Sequence, residues 1–143
     1  MKRIIFGLAA IGFLTGSQRL EAQEFQVVVN AANPISEISK SDASRIFQKK
    51  TQKFANGQEA SPVDLSKDSP VREQFSKGVH GRSVGAISAY WQQQIFSGRG
   101  VPPEEKGSDS AVLDFVRSTP GAIGYVAADA SLGEGVKAVK VTG

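Results

Sequence analysis

The 143-residue chain has no cysteine, one histidine, one methionine and one tryptophan. Without cysteine there is no disulfide, no thiolate metal site, no cysteine nucleophile and no cysteine to carry a lipid. With His80 as its only histidine, the chain cannot build a histidine metal cluster, and a catalytic triad would have to rest on this one residue. His80 lies between Gly78 and Gly81 in an expected loop, where an exposed spectator is the ordinary outcome. The carboxylate pairs Glu104 with Glu105 and Asp109 with Asp114 have solvent-facing surroundings, with none of the burial that tunes one member into an acid. The reading is therefore of a protein that is not an enzyme and uses no cofactor or metal. Long apolar runs are also missing. Ile4 to Leu14 is only 11 residues, well short of the roughly 20 that span a bilayer.

That run has another meaning. Lys2 and Arg3 precede it, and a polar stretch follows that closes on Leu20, Glu21 and Ala22. This is the charged, apolar, small-residue order of a secretory signal peptide. Residues 1–22 are assigned to the leader, with cleavage after Ala22, and residues 23–143 to one exported domain, periplasmic or secreted. Removing the leader leaves 14 basic and 13 acidic side chains, a net charge of +1. A nucleic-acid binder needs a concentrated basic face, and none is present. The one cluster of cations, Lys49, Lys50 and Lys53, reads as a solvated helix end.

Strand and helix signals alternate along the domain. FQVVVN, residues 25–30, is rich in β-branched side chains and reads as a buried strand that ends where Asn33 and Pro34 turn the chain. Ser41 is expected to cap a short helix with Ala43, Ile46 and Phe47 on one face, ending near Lys49 or Lys50. Asn56 and Gly57 mark a turn before a short strand around Val63. A longer helix is expected from Ser83 to Phe96, with Val84, Ile87, Trp91 and Ile95 at helical spacing. Ser108 or Asp109 caps another, with Val112, Phe115 and Val116 inward, stopped by Pro120 and Gly121. AIGYV, residues 122–126, and residues 136–141 are the last two strands, separated by a helical or turn segment over 127–132. This alternation predicts an α/β domain, a small mixed sheet flanked by helices.

The stretch Ser61 to Phe75, SPVDLSKDSPVREQF, is the centre of the arrangement. It reads as a strand, a polar turn and a helix opening on Pro70, with Ser69 or Asp68 as its cap. The start of such a helix presents unused amides and partial positive charge, a potential seat for a phosphate, sulfate or carboxylate. An ordinary capped helix has the same sequence. The candidate anion-binding residues are Ser66, Lys67, Asp68, Ser69 and Arg72.

Taken together, VVVNAANPI, ISKSDASRIFQKK, PVDLSKDSPVREQF and PGAIGYV resemble the phosphate ABC-transporter substrate-binding proteins, periplasmic binding proteins of type II. The resemblance covers about Val27 to Val141 and is to one lobe of the two that close around the anion in full-length members. It implies a single periplasmic-binding-protein-like lobe, phosphate or a similar small anion as ligand, and a membrane transporter, a sensor or a second copy as partner. The family's anion loop carries an arginine followed by an acid, glycine, serine, glycine and threonine. Aligned on Val63 and Phe75, those positions here are Leu65, then Lys67, Asp68, Ser69, Pro70 and Val71. Only the serine is kept. A guanidinium, one amide donor and one hydroxyl donor are lost, with Lys67 as the substitute cation. Two functions follow from this pattern: anion binding at the start of the helix, or an interaction module that kept the lobe as a scaffold.

Overall fold

A computed structural model of the protein describes residues 24–143. The expected leader, residues 1–22, lies outside them. Six strands and four α-helices follow in the order β1 (Phe25–Asn30), β2 (Glu37–Ser39), α1 (Lys40–Phe47), β3 (Ser61–Leu65), α2 (Pro70–Phe75), α3 (Val84–Phe96), β4 (Glu104–Lys106), α4 (Asp109–Ser118), β5 (Ala122–Ala127) and β6 (Val136–Thr142).

The strands form one mixed sheet in the order β2-β6-β1-β5-β3-β4. β1 runs antiparallel to β5 and β6, whereas β2 is parallel to β6, and β3 is parallel to both β5 and β4. Val27, Val28 and Val29 are all buried. A continuous β-branched run of this kind suits a central strand covered on both faces, and β1 is such a strand.

β5 shows how the two faces are filled. Successive side chains of a strand point to opposite faces. A Cβ on Gly124 would come within 2.9 Å of Val112 and Val63 side chains, so α4 lies directly on this strand and only glycine leaves it room. The next residue, Tyr125, faces the other way, stacked on Phe75 at 3.8 Å between centroids and tilted against Phe47 at 5.8 Å. α4 therefore covers one face, through Val112, Leu113 and Val116, and α1 with α2 covers the other. Phe25, Phe47, Phe75 and Tyr125 form the aromatic centre of that second face.

This is the predicted α/β lobe, a mixed sheet flanked by helices, with differences in detail. Ser39, not Ser41, caps α1, accepting from the Asp42 amide at 3.0 Å. α1 closes at Phe47, and Lys49 takes a left-handed φ of 54° just beyond it. β2 and β4 were not expected. Each has three residues and lies at a sheet edge, too short to carry an alternating pattern. Of the helical and turn alternatives for 127–132, the turn is found, at residues 128–129 directly after β5. The break expected around His80 is instead a π-helical turn, Ser76–His80, that continues α2 and stops at Gly81, φ 66°. Gly78 is needed inside this turn because a Cβ there would meet the Phe25 ring at 2.9 Å.

Candidate functional site

Ser61 to Phe75 builds a strand, a turn and a helix, as its residue types require. β3 ends at Leu65, and the Ser66 amide makes one more bond across to Lys106 O at 3.0 Å. The chain then turns through Ser66–Ser69, with the Ser69 amide donating to Ser66 O at 3.0 Å. Ser69 Oγ caps α2 by accepting from the Arg72 amide at 3.4 Å, and Pro70 occupies the first turn. Lys67 and Asp68 are exposed, and Ser66 and Ser69 are half-buried. Among the described residues, the amides of Lys67, Asp68 and Val71 have no partner within the chain. Four of the five candidate residues thus share one turn, with three free N–H groups.

The fifth, Arg72, points elsewhere. Its side chain is only 7% exposed. One guanidinium nitrogen, Nη1, donates to Leu65 O at 2.9 Å and to Glu105 Oε2 at 3.2 Å, and Nη2 lies 3.9 Å from Asp64 Oδ2. The guanidinium is neutralised by two carboxylates beneath the loop.

Asp64 was not singled out in the sequence, although it lies between Val63 and Leu65 in β3. It is buried, and its Oδ1 accepts a 2.7 Å bond from Tyr125 Oη. Tyr125 Oη in turn accepts from the Leu65 amide at 3.2 Å. Burial pushes the Asp64 carboxyl up to about 6, more than Arg72 at 3.9 Å and the Tyr125 bond pull it back. Burial and the neighbouring Asp64 raise the Tyr125 hydroxyl further above its ordinary range. Asp64, Arg72 and Glu105, together with Lys67, line a 110 Å³ cavity roofed by Trp91 and Ile95 of α3 and closed by Pro102 and Pro103. The legible signal was an acidic residue inside an apolar strand, which has to find a partner.

His80 is not an exposed spectator. It packs edge-on against Phe75 at 5.5 Å, and its Nδ1 lies 2.8 Å from Ser44 Oγ and 3.3 Å from Gln48 Nε2. Both neighbours have protons to donate, so Nδ1 is the acceptor and the ring is neutral. Burial, followed by the Arg72, Arg82 and Lys50 charges, lowers its pKa to about 4. Among the described residues no group of histidine, cysteine, aspartate and glutamate side chains is arranged to hold a metal. No helix among them is long and apolar enough to cross a membrane.

α3 carries a third feature. Ile87 and Trp91 are buried, but Ile95 is 53% exposed, Phe96 96% and Val101 62%, so the expected inward stripe holds only at its centre. Tyr90, beside Trp91, reaches back to donate to Gln48 O at 2.9 Å.

No protein-family profile and no curated protein sequence matches the chain. Solved structures do match its fold. An ABC-type phosphate transport receptor from Vibrio cholerae superimposes with a TM-score of 0.64 at 17% identity, over 82% of this chain and 46% of that one. A Clostridium perfringens protein assigned as a phosphate ABC transporter substrate-binding protein, solved with bound phosphate, gives 0.65 at 17%, over 82% and 44%. PstS from Borrelia burgdorferi gives 0.63 at 13%, over 83% and 47%. The chain shares the fold of one lobe of these proteins and spans less than half the length of each.

Proposed function

We propose that the protein is an exported phosphate-type anion-binding lobe, with the anion seated on the turn at the start of α2. What carries the reading is the coincidence of two things at one place. The fold is that of one lobe of proteins named for phosphate transport, and the turn after β3 leaves three amides free beside the exposed ammonium of Lys67. In this reading the Lys67, Asp68 and Val71 amides and the Ser69 hydroxyl donate to the anion, Lys67 supplies charge, and Ser66 shapes the turn. Arg72 acts as a positioning residue, holding Leu65 O and the root of the turn. A half-shell open to water binds an anion weakly and with strong salt dependence, so a second copy or a transporter component supplies the opposing half. The role is binding and transport rather than catalysis. A hydrolytic activity lost in His80→Ala would contradict that part.

The test is calorimetric titration of inorganic phosphate into the wild type, Lys67→Glu and Ser69→Ala. Both substitutions are expected to weaken binding while leaving the fold intact. Unchanged affinity in both would remove this turn from the site.

A second reading is favoured by α3. Ile95, Phe96 and Val101 are each exposed, and a lobe kept as a scaffold would dock on an envelope transporter or sensor through such side chains. Association with a membrane fraction that is indifferent to phosphate and lost in Phe96→Ser would support it over anion binding.

A further inference from the structure

The cavity under α3 holds an arrangement that the anion reading does not use. Asp64 Oδ2 and Arg72 Nη2 face each other at 3.9 Å, too far for a hydrogen bond. Within the chain neither atom has another hydrogen-bond partner among the described residues, since the bonds of Asp64 go through Oδ1 and those of Arg72 through Nη1 and the backbone amide. Both side chains are more than nine-tenths buried. Of the described side-chain polar atoms shut off from solvent, only Asn33 Nδ2 lacks a partner, so these two atoms open onto the cavity they line. The cavity therefore presents a strong acceptor and a strong donor side by side, at the end of a buried chain of bonds running from Tyr125 through Asp64.

A single oxygen that both donates and accepts fits this gap. Placed about 2.8 Å from each atom, as ordinary hydrogen bonds require, it subtends an angle near 90° across 3.9 Å, within reach of a hydroxyl. Charge argues for neutrality. Asp64 and Glu105 meet any anion that enters, and Arg72 with Lys67 meets any cation, whereas an uncharged group leaves the existing ion pairs intact. Size and lining argue for a short hydrocarbon stem. A 110 Å³ space is smaller than the roughly 150 Å³ that admits benzene, and Trp91, Ile95, Pro102 and Pro103 form its apolar wall.

We propose that this cavity binds an uncharged, hydroxyl-bearing ligand, or the hydroxyl end of a larger one, with the oxygen bridging Asp64 Oδ2 and Arg72 Nη2. The proposal shares Lys67 with the anion seat but rests on Asp64 Oδ2 and Arg72 Nη2, which the anion reading does not use as ligands, so either can fail alone.

The experiment titrates the purified full chain, labelled with nitrogen-15, with 1-propanol, propionate and propylammonium, three probes of similar length that differ in charge. Trp91 is the only tryptophan, so the single indole N–H resonance reports the cavity wall directly. The expected result is a saturable shift of the Trp91 indole and Arg72 Nε–H signals with propanol, at least tenfold tighter than with either ion. Asp64→Ala should abolish it. Because that substitution also removes the Tyr125 bond, Ser88→Phe is the second variant. It fills the cavity from α3 without touching the carboxylate, and should also abolish saturation. A linear response to propanol would mean solvent effects only and would overturn the proposal, as would tighter binding of propionate or unchanged propanol binding in Ser88→Phe.

Discussion

Among the described residues α3 and α4 are the two longest helices, and they treat their apolar residues in opposite ways. α4 is amphipathic in the ordinary sense. Val112, Leu113 and Val116 are buried against the sheet, and the exposed face carries Asp114 paired with Arg117 at 2.9 Å. α3 buries only Ile87 and Trp91 and leaves Ile95 and Phe96 in solvent. α4 is explained by the fold. α3 is explained only in part, because Trp91 and Ile95 line the cavity at Asp64 and Arg72 while Phe96, at its C-terminal end, is 96% exposed among the described residues. The contrast separates what holds the lobe together from what the lobe has left over for use.

The sharpest way to break this contrast is to put the same charge on both helices. Val116→Asp buries an unpaired carboxylate against β1 and β5 and should cost more than about 4 kcal/mol, or prevent folding, as read by urea unfolding. Phe96→Asp should change stability by less than about 0.5 kcal/mol. A large loss in Phe96→Asp would mean that α3's end is structural after all.

Next in size are two opposed titrations on the α1 and α2 face. Folded Asp64 holds its proton up to about pH 6, against an ordinary value of 3.8. Between those values the folded chain binds more protons than the unfolded one, so this group's contribution to stability rises as pH falls. His80 does the reverse. Its folded pKa is about 4 against 6.5, so the unfolded chain takes the proton first and stability is lost as pH drops through that window. The wild type should therefore be nearly flat between pH 4 and 6.5. Asp64→Asn should unmask a fall on acidification, and His80→Gln a rise, each of the order of 2 kcal/mol. Parallel pH profiles for all three proteins would show that neither group is perturbed.

Smaller effects belong to the turn. Lys67→Glu is expected to weaken phosphate roughly tenfold, about 1.4 kcal/mol, without lowering the unfolding midpoint. Ser69→Ala removes the α2 cap and should cost about 1 kcal/mol of stability together with a smaller loss of phosphate affinity.

Much of this architecture was readable from residue pattern. The β-branched run at Val27–Val29, the cap and proline that open α2, and the spacing of Val112 and Val116 each specify an element through local chemistry, and each forms as expected. β2 and β4 were not readable because three-residue edge strands owe their existence to the neighbour they pair with. The His80 environment was hidden for a related reason. Flanking glycines read as a loop, yet Gly78 is there to let the chain pass the Phe25 ring, and the resulting π-helical turn carries His80 under Ser44. At the candidate site the turn, its cap and the exposed Lys67 were visible. The inward course of Arg72 was not, because it depends on Asp64 and Glu105, which come from β3 and β4 and meet only in the folded sheet.

The turn at Ser66–Ser69 is proposed to seat a phosphate-type anion. Calorimetric titration of the purified wild-type chain with inorganic phosphate, at low and at physiological salt, addresses it most directly. Saturable binding that weakens with salt but persists at physiological ionic strength is expected. No heat and no shift in melting temperature at either salt concentration would contradict it and leave the lobe as a scaffold, with the exposed end of α3 as the place to look for its partner.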